Sequence, residues 1–141
     1  MTVSQSDHFA LSLLADQYCD GVIRKDVDAW GSTWADDADV PGRTGPQWQM
    51  RGDPIVGKDA IVEYWLGAME RFEWVLQVAP FKWFEVAEGA DTGVGRVVAQ
   101  ERFMRADQVL GHLHAVYHDE YIRTPGGWRF SSRQLEIRDF G

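Results

Sequence analysis

Cysteine is almost missing from this chain: Cys19 is the only one in 141 residues. One thiol allows no intrachain disulfide and no zinc site built from several thiolates, and it suits a reducing, cytoplasmic setting. Long apolar runs are missing too. None approaches the roughly 20 residues that span a bilayer. The opening Met1-Thr2-Val3-Ser4-Gln5-Ser6-Asp7 lacks the positive stretch of a secretion signal, and the short apolar run from Phe9 to Ala15 is flanked by Asp7 and Asp16. Positive charge is scarce: 14 Lys and Arg stand against 22 Asp and Glu, a net charge of −8. That balance excludes a nucleic-acid partner, which needs a basic footprint, and an anionic membrane surface. Signature motifs are also missing. There is no GxGxxG, and Gly52 to Asp59 lacks the spacing and hydroxyl of a phosphate loop. There is no HExxH, no nucleophile elbow and no low-complexity tract.

Aromatic rings are plentiful: 7 Trp, 7 Phe and 4 Tyr, or 13%. Each buries on the order of 150–250 Å². So many rings imply either an aromatic-rich core or a lined pocket. The remaining composition, 45% apolar and 26% charged, is that of one ordinary globular domain, read here as residues 1–141.

Periodicity divides the chain into helices first and strands second. Phe9, Leu13, Tyr18 and Val22, with Leu14, Tyr18 and Val22, fall near helical spacing. After a break at Arg24-Lys25, Asp26 stands as N-cap of a short helix carrying Trp30 and Trp34. Residues 41–54 hold Pro41, Gly42, Gly45, Pro46, Gly52 and Pro54 and read as a loop, with short strand pieces near Trp48 to Met50. A third helix is expected over Lys58 to Phe72, with Ile61, Trp65, Ala68, Met69 and Phe72 on one side. Residues 75–87, 93–105, 109–123 and 127–138 alternate like strands and are joined by turns too short for crossovers. They therefore form an antiparallel meander. The fold class is α+β: a curved sheet around three N-terminal helices, with a cone-shaped cavity between the layers.

Alternation puts His112, His114, His118 and Glu120 on one face of a strand. HxH is a true metal-ligand spacing, but the cupins that use it are all-β while this chain spends its first half on helices, and no metal site is expected here. The other face of that strand carries Leu113, Ala115, Tyr117, Asp119 and Tyr121, and the strand before it presents Ala99, Glu101 and Phe103. If those faces line the cavity, acids sit beside rings, and desolvation raises a carboxyl toward the range useful for acid–base work. Asp26 is alternatively only a helix cap, Tyr18 a core ring, and Asp119 an ion-pair partner of Arg123 or Arg133.

Tyr18, Lys25-Asp26-Val27-Asp28-Ala29-Trp30, Trp34-Ala35-Asp36-Asp37-Ala38, Gly57-Lys58-Asp59-Ala60-Ile61, Tyr117-His118-Asp119-Glu120-Tyr121 and Gly127-Trp128-Arg129-Phe130 together resemble the SnoaL-like branch of the nuclear transport factor 2-like superfamily. The resemblance implies the same α+β cone. It also implies chemistry of the dehydratase, dehydrochlorinase, isomerase or cyclase kind, mostly without a cofactor. By this resemblance Asp26 matches an Asp that orients a catalytic His, but the His position falls on Gln77, which cannot titrate. Glu101 resembles an acidic residue of a bile acid dehydratase. Tyr18 and Asp119 resemble the oxyanion-binding pair of ketosteroid isomerase, whose base position falls near Gly42. Arg133, or less closely Arg138, matches a pocket arginine.

The expected function is therefore a cofactor-independent lyase or isomerase acting on a small hydrophobic or aromatic substrate. Asp26, Tyr18, Glu101 and Asp119 are the candidate catalytic residues, and Trp30, Trp34, Gln77, Phe103, Tyr117 and Arg133 the candidate substrate contacts. The rival readings are a non-catalytic ligand-binding protein, which Gln77 favours, and a structural partner like the β chains of ring-hydroxylating dioxygenases. Apolar residues left on the outer sheet face, such as Trp74, Leu76, Phe84, Val98 and Val116, point to a homodimer.

Overall fold

The computed structural model describes residues 3–42 and 44–141; Met1, Thr2 and Arg43 lie outside the described residues. The helices are α1 (Gln5–Arg24), α2 (Val27–Gly31) and α3 (Lys58–Met69), with a 3-10 turn at Asp37–Asp39. The strands are β1 (Gln47–Gln49), β2 (Ile55–Val56), β3 (Phe72–Glu85), β4 (Thr92–Arg105), β5 (Leu110–Thr124) and β6 (Gly127–Phe140). All six join one curved, unclosed sheet in the order β2-β1-β6-β5-β4-β3. The expected meander is β3 to β6. The loop adds two short strands beyond it, with β1 parallel to β6 through Trp48 and Arg133.

The helices begin and end where local chemistry dictates. Ser4 caps α1 by accepting from the Asp7 N–H at 3.1 Å. Lys25 closes α1 in the left-handed region at φ 50°, and Asp26 caps α2 by accepting from the Ala29 N–H at 3.0 Å. Leu11, Leu14, Ala15, Tyr18 and Val22 form the buried stripe of α1. Phe9 and Leu13 do not belong to it. They lie off that stripe and are exposed. Gly21 allows α1 and α2 to touch, since a Cβ there would stand 2.9 Å from the Trp30 backbone. The third helix ends at Met69, three residues short of the expectation. Phe72 already pairs with Arg105, so the β3–β4 ladder takes the segment over.

The core holds rings from every layer. Trp30, Trp34, Tyr18, Tyr121 and Phe130 pack edge-on or tilted, and Trp30 stacks on Trp65. Phe84 belongs here and not on the outer face. The β3–β4 register shifts between Val78 and Phe81. This bulge reverses the alternation, so Val75, Gln77 and Phe84 point inward while Trp74, Leu76, Val78, Phe81 and Trp83 point out. His114 and His118 are exposed on the outer side of β5 and His112 is half-buried there. His112 pairs with Asp139 at 3.1 Å and His118 with Glu136 at 3.0 Å. Among the described residues no three His, Cys, Asp or Glu converge in a way that could hold a metal ion. No described helix is long and apolar enough to cross a membrane.

Candidate functional site

Between the helices and the sheet lies a cavity of about 640 Å³, within the usual range for a small-molecule site. Every residue of the α3 stripe expected from sequence faces it: Ile61, Trp65, Ala68 and Met69, with Phe72 at the start of β3. Trp48, Met50 and Ile55 from the first two strands close one side. Tyr18 and Val22 come from α1, Trp30 from α2, and Gln77, Glu101, Phe103, Leu113, Tyr117 and Leu135 from the sheet. Phe103 reaches its place because Gly111 lies opposite it in the ladder. A Cβ at Gly111 would stand 2.3 Å from the Phe103 ring.

Glu101 is the carboxyl at the inner wall. It lies directly across the β3–β4 ladder from Gln77, and the Gln77 side chain hydrogen-bonds to it. Burial pushes the Glu101 carboxyl up to about 7, and the Gln77 bond opposes only part of that rise. The Gln77 Oε1 is buried with no hydrogen-bond partner among the described residues. Two buried phenols complete the inner wall. The Tyr18 and Tyr117 hydroxyls lie 3.4 Å apart, and burial raises both above the usual tyrosine value. One of their two protons is used in the mutual bond and the other remains to donate.

Behind these rings sits a buried ion pair. Arg133 Nε donates to Asp119 Oδ1 at 2.7 Å and its terminal nitrogen donates to Oδ2 at 3.1 Å. The Tyr121 hydroxyl donates to the same Oδ2 at 2.7 Å. The guanidinium lies 3.7 Å from the Tyr117 ring centroid, 4.1 Å from Phe130 and 4.4 Å from Tyr18. Burial disfavours the Arg133 cation, but the charge and hydrogen bonds of Asp119, together with Tyr18 and Tyr117, outweigh it and hold the group charged. Burial raises the Asp119 carboxyl against the pull of Arg133.

The sequence candidates thus separate into two sets. Tyr18, Glu101, Tyr117, Trp30, Gln77 and Phe103 line the cavity. Asp26, Trp34, Asp119 and Arg133 do not. Asp26, a catalytic candidate from the sequence, is absent from the cavity wall. Instead it is spent on the α2 cap and an ion pair with Arg24. Its hydrogen bond from Ala29, then that from Arg24, holds its carboxyl below the ordinary value. Trp34 is a core ring against Trp30 and Phe130. Asp119 and Arg133 neutralise each other one layer behind the wall. Asp26→Ala is accordingly expected to lower the melting temperature by removing a cap, while Asp26→Asn keeps the cap and leaves turnover unchanged. A thermal melt and an initial-rate assay of the two variants check this. Sequence reasoning missed the outer lining, which includes Trp48, Tyr64, Arg71, Arg105 and Asp107.

An α+β cone whose sheet folds over three helices, with the enclosed space turned to carry a carboxyl and two phenols, is a nuclear transport factor 2-like architecture. The chain belongs to the family of SnoaL-like domains, whose model matches residues 6–134. Solved structures with the same fold include a candidate aromatic ring hydroxylase from Novosphingobium aromaticivorans, 18% identical, covering 99% of this chain and 95% of that one with a TM-score of 0.86. The hexachlorocyclohexane dehydrochlorinase LinA, type 2, is 19% identical and covers 96% of this chain and 88% of that one, with a TM-score of 0.82. A candidate dehydratase of the NTF2-like family from Streptomyces avermitilis is 15% identical, with 96% and 99% covered and a TM-score of 0.83. No curated protein matches the chain. Identities this low establish a shared fold, and the chemistry rests on the residues of this chain.

Proposed function

We propose that this protein is a cofactor-independent lyase or isomerase that moves a proton on a small hydrophobic or aromatic substrate. Glu101 is its acid–base group. The observation that carries the reading is one carboxyl at the inner wall of an apolar cavity, partnered by an amide in place of a cation. Near neutral pH both its forms are populated, which suits a group that takes a proton and returns it. Glu101 as carboxylate removes a proton from a substrate carbon or hydroxyl. The free proton of the Tyr18–Tyr117 pair donates to the substrate oxygen on which negative charge grows. Arg133 lies behind both rings and favours that charge without touching the substrate. Elimination then ends when protonated Glu101 passes its proton to a leaving hydroxyl, and isomerisation when the proton returns to another carbon. The dehydrochlorinase and dehydratase folds nearby accord with this class of reaction.

The test is a turnover screen of hydroxylated, halogenated and enolisable ring compounds, followed by a pH–rate profile of any substrate found. The expected profile has an apparent pKa near that of Glu101, and it disappears in Glu101→Gln. Compounds that raise the melting temperature but are never turned over would favour the ligand-binding reading, to which Gln77 at the His position lends support.

We also propose a homodimer formed through the outer face of β3 and β4. Trp74, Leu76, Val78, Phe81 and Trp83 are all exposed on one side of one strand, a larger apolar patch than single surface residues make. Light scattering should give twice the 16.0 kDa chain mass, and Leu76→Asp should give the single mass. Cys19 is free, which accords with a reducing compartment, and we place the protein in the cytoplasm.

A further inference from the structure

The outer end of the cavity carries charge that this reading does not use. Arg71 and Arg105 line it, beside the exposed Ala106 and Asp107. The backbone holds the two arginines together. The Ala106 N–H donates to the Arg71 carbonyl at 2.9 Å, and Phe72 pairs with Arg105 across the first rung of the ladder. The Arg105 guanidinium lies over the Phe103 ring, 5.8 Å from its centroid. Among the described residues neither guanidinium is in an ion pair. Asp107, which lines the cavity at this end, accepts from the Val109 N–H at 3.2 Å and is held in the β4–β5 turn. Lys25 brings a further cation alongside, its Nζ donating to the Phe72 carbonyl. Three cations, Arg71, Arg105 and Lys25, thus meet at this opening, while Glu70 and Glu73 flank it in sequence and neither is among the residues lining the cavity.

The spacing between the two ends is set by the strand. Residues 101, 103 and 105 alternate onto the same face of β4, so Arg105 stands about 14 Å along the strand from Glu101 at roughly 3.4 Å per residue. The walls between them are Phe103, Phe72, Met69, Trp65 and Leu113.

We propose that the substrate is an elongated apolar acid, with an anionic group, a carboxylate in the simplest case, held by Arg71 and Arg105 at the mouth. Its ring body lies along the apolar walls, and the reacting carbon reaches Glu101 at the inner end. The proposal deepens the acid–base reading and rests on it for the position of the reacting carbon. The charge also fixes direction. The reversed pose would bring a second carboxylate against Glu101 in an apolar wall, where two like charges are strongly disfavoured. At the mouth, two planar guanidinium forks suit a carboxylate and remain partly hydrated.

The experiment compares biphenyl-4-carboxylate with biphenyl-4-carboxamide, which share shape and differ in charge, by calorimetric titration of the whole protein at pH 8. The carboxylate is expected to bind at least about tenfold tighter, as a charge-assisted pair of hydrogen bonds would give. That advantage should shrink as salt is raised. The double variant Arg71→Gln/Arg105→Gln should lose the advantage and leave carboxamide binding as it was. Arg71→Gln alone, at an exposed position, should lose part of it with the melting temperature unchanged. Glu101→Gln should keep it. Equal affinity of the two probes, or an equal loss of both in the arginine variants, overturns the anion site and leaves the acid–base reading standing. Failure of both probes to bind the wild-type protein overturns the pocket reading and the anion site together.

Discussion

Glu101→Gln is expected to abolish most turnover and, at pH 8, to raise the melting temperature. Both effects have one cause. Burial lifts the Glu101 carboxyl from an ordinary 4.5 to about 7. Below pH 4.5 the group is neutral in the folded and the unfolded chain, and folding loses nothing to it. Between 4.5 and 7 the unfolded chain ionises first, so stability falls as pH rises. Above 7 both forms are ionised and the loss is complete, about 3 kcal/mol at most. Glutamine is uncharged throughout and can still hydrogen-bond to Gln77. The variant should therefore match wild type near pH 4.5 and exceed it by several degrees at pH 8, at roughly 3 °C per kcal/mol for a chain of this size. The rate should drop on the order of 10²–10⁴-fold, as losing a general base does. Melts at the two pH values beside a rate assay check both halves. A variant that is less stable at pH 8, or one that keeps its activity, contradicts the role given to Glu101.

The second large effect is at the ion pair behind the cavity wall, and it is unequal between the partners. Asp119→Ala leaves Arg133 charged and buried, since a guanidinium does not give up its proton, and leaves the Tyr121 hydroxyl without its acceptor. Such a loss costs about 3–5 kcal/mol, a large part of the 5–15 kcal/mol that holds a domain folded. Arg133→Met leaves Asp119, which burial already inclines toward its neutral form and which keeps the Tyr121 bond. It should cost about half as much. The double variant Asp119→Leu/Arg133→Met removes both charges and should regain most of the stability that Asp119→Ala loses. Urea unfolding of the three variants gives the comparison. Equal losses for the two single variants would show that the pair contributes only packing. The double variant should still lose activity, because nothing then favours negative charge behind Tyr18 and Tyr117.

Periodicity made the architecture legible, and the stripe Ile61, Trp65, Ala68, Met69 and Phe72 is the clearest case: all five residues face the cavity. Alternation on β4 likewise placed Glu101 and Phe103 on the inner face. It failed at Phe84 because the bulge at Val78–Phe81 reverses the count, and nothing in Val78-Ala79-Pro80-Phe81 but the proline announces it. Alternation also says which face a side chain is on and nothing of depth. Asp119 and Arg133 share the inner face with Tyr117 but lie below the level the cavity reaches. Asp26 was misplaced for a different reason. A capping carboxylate turns toward its own helix, and Arg24, held by the left-handed Lys25 turn, draws it outward. Arg105 had the same parity as Glu101 and so was within reach of the alternation argument. Arg71 was not, because only the tertiary bond from Ala106 brings it to the opening.

Trp30 and Trp65 lie nearly parallel, 8° from coplanar directions and 4.6 Å between centroids, and both belong to the cavity wall. Two indoles held that close share their electronic excitation, so the protein should show a paired, opposite-signed signal in near-ultraviolet circular dichroism. A guest that slides one ring past the other alters the coupling, which varies steeply with separation and angle. Filling of the cavity can thus be watched by polarised light on unlabelled protein, before any product is known.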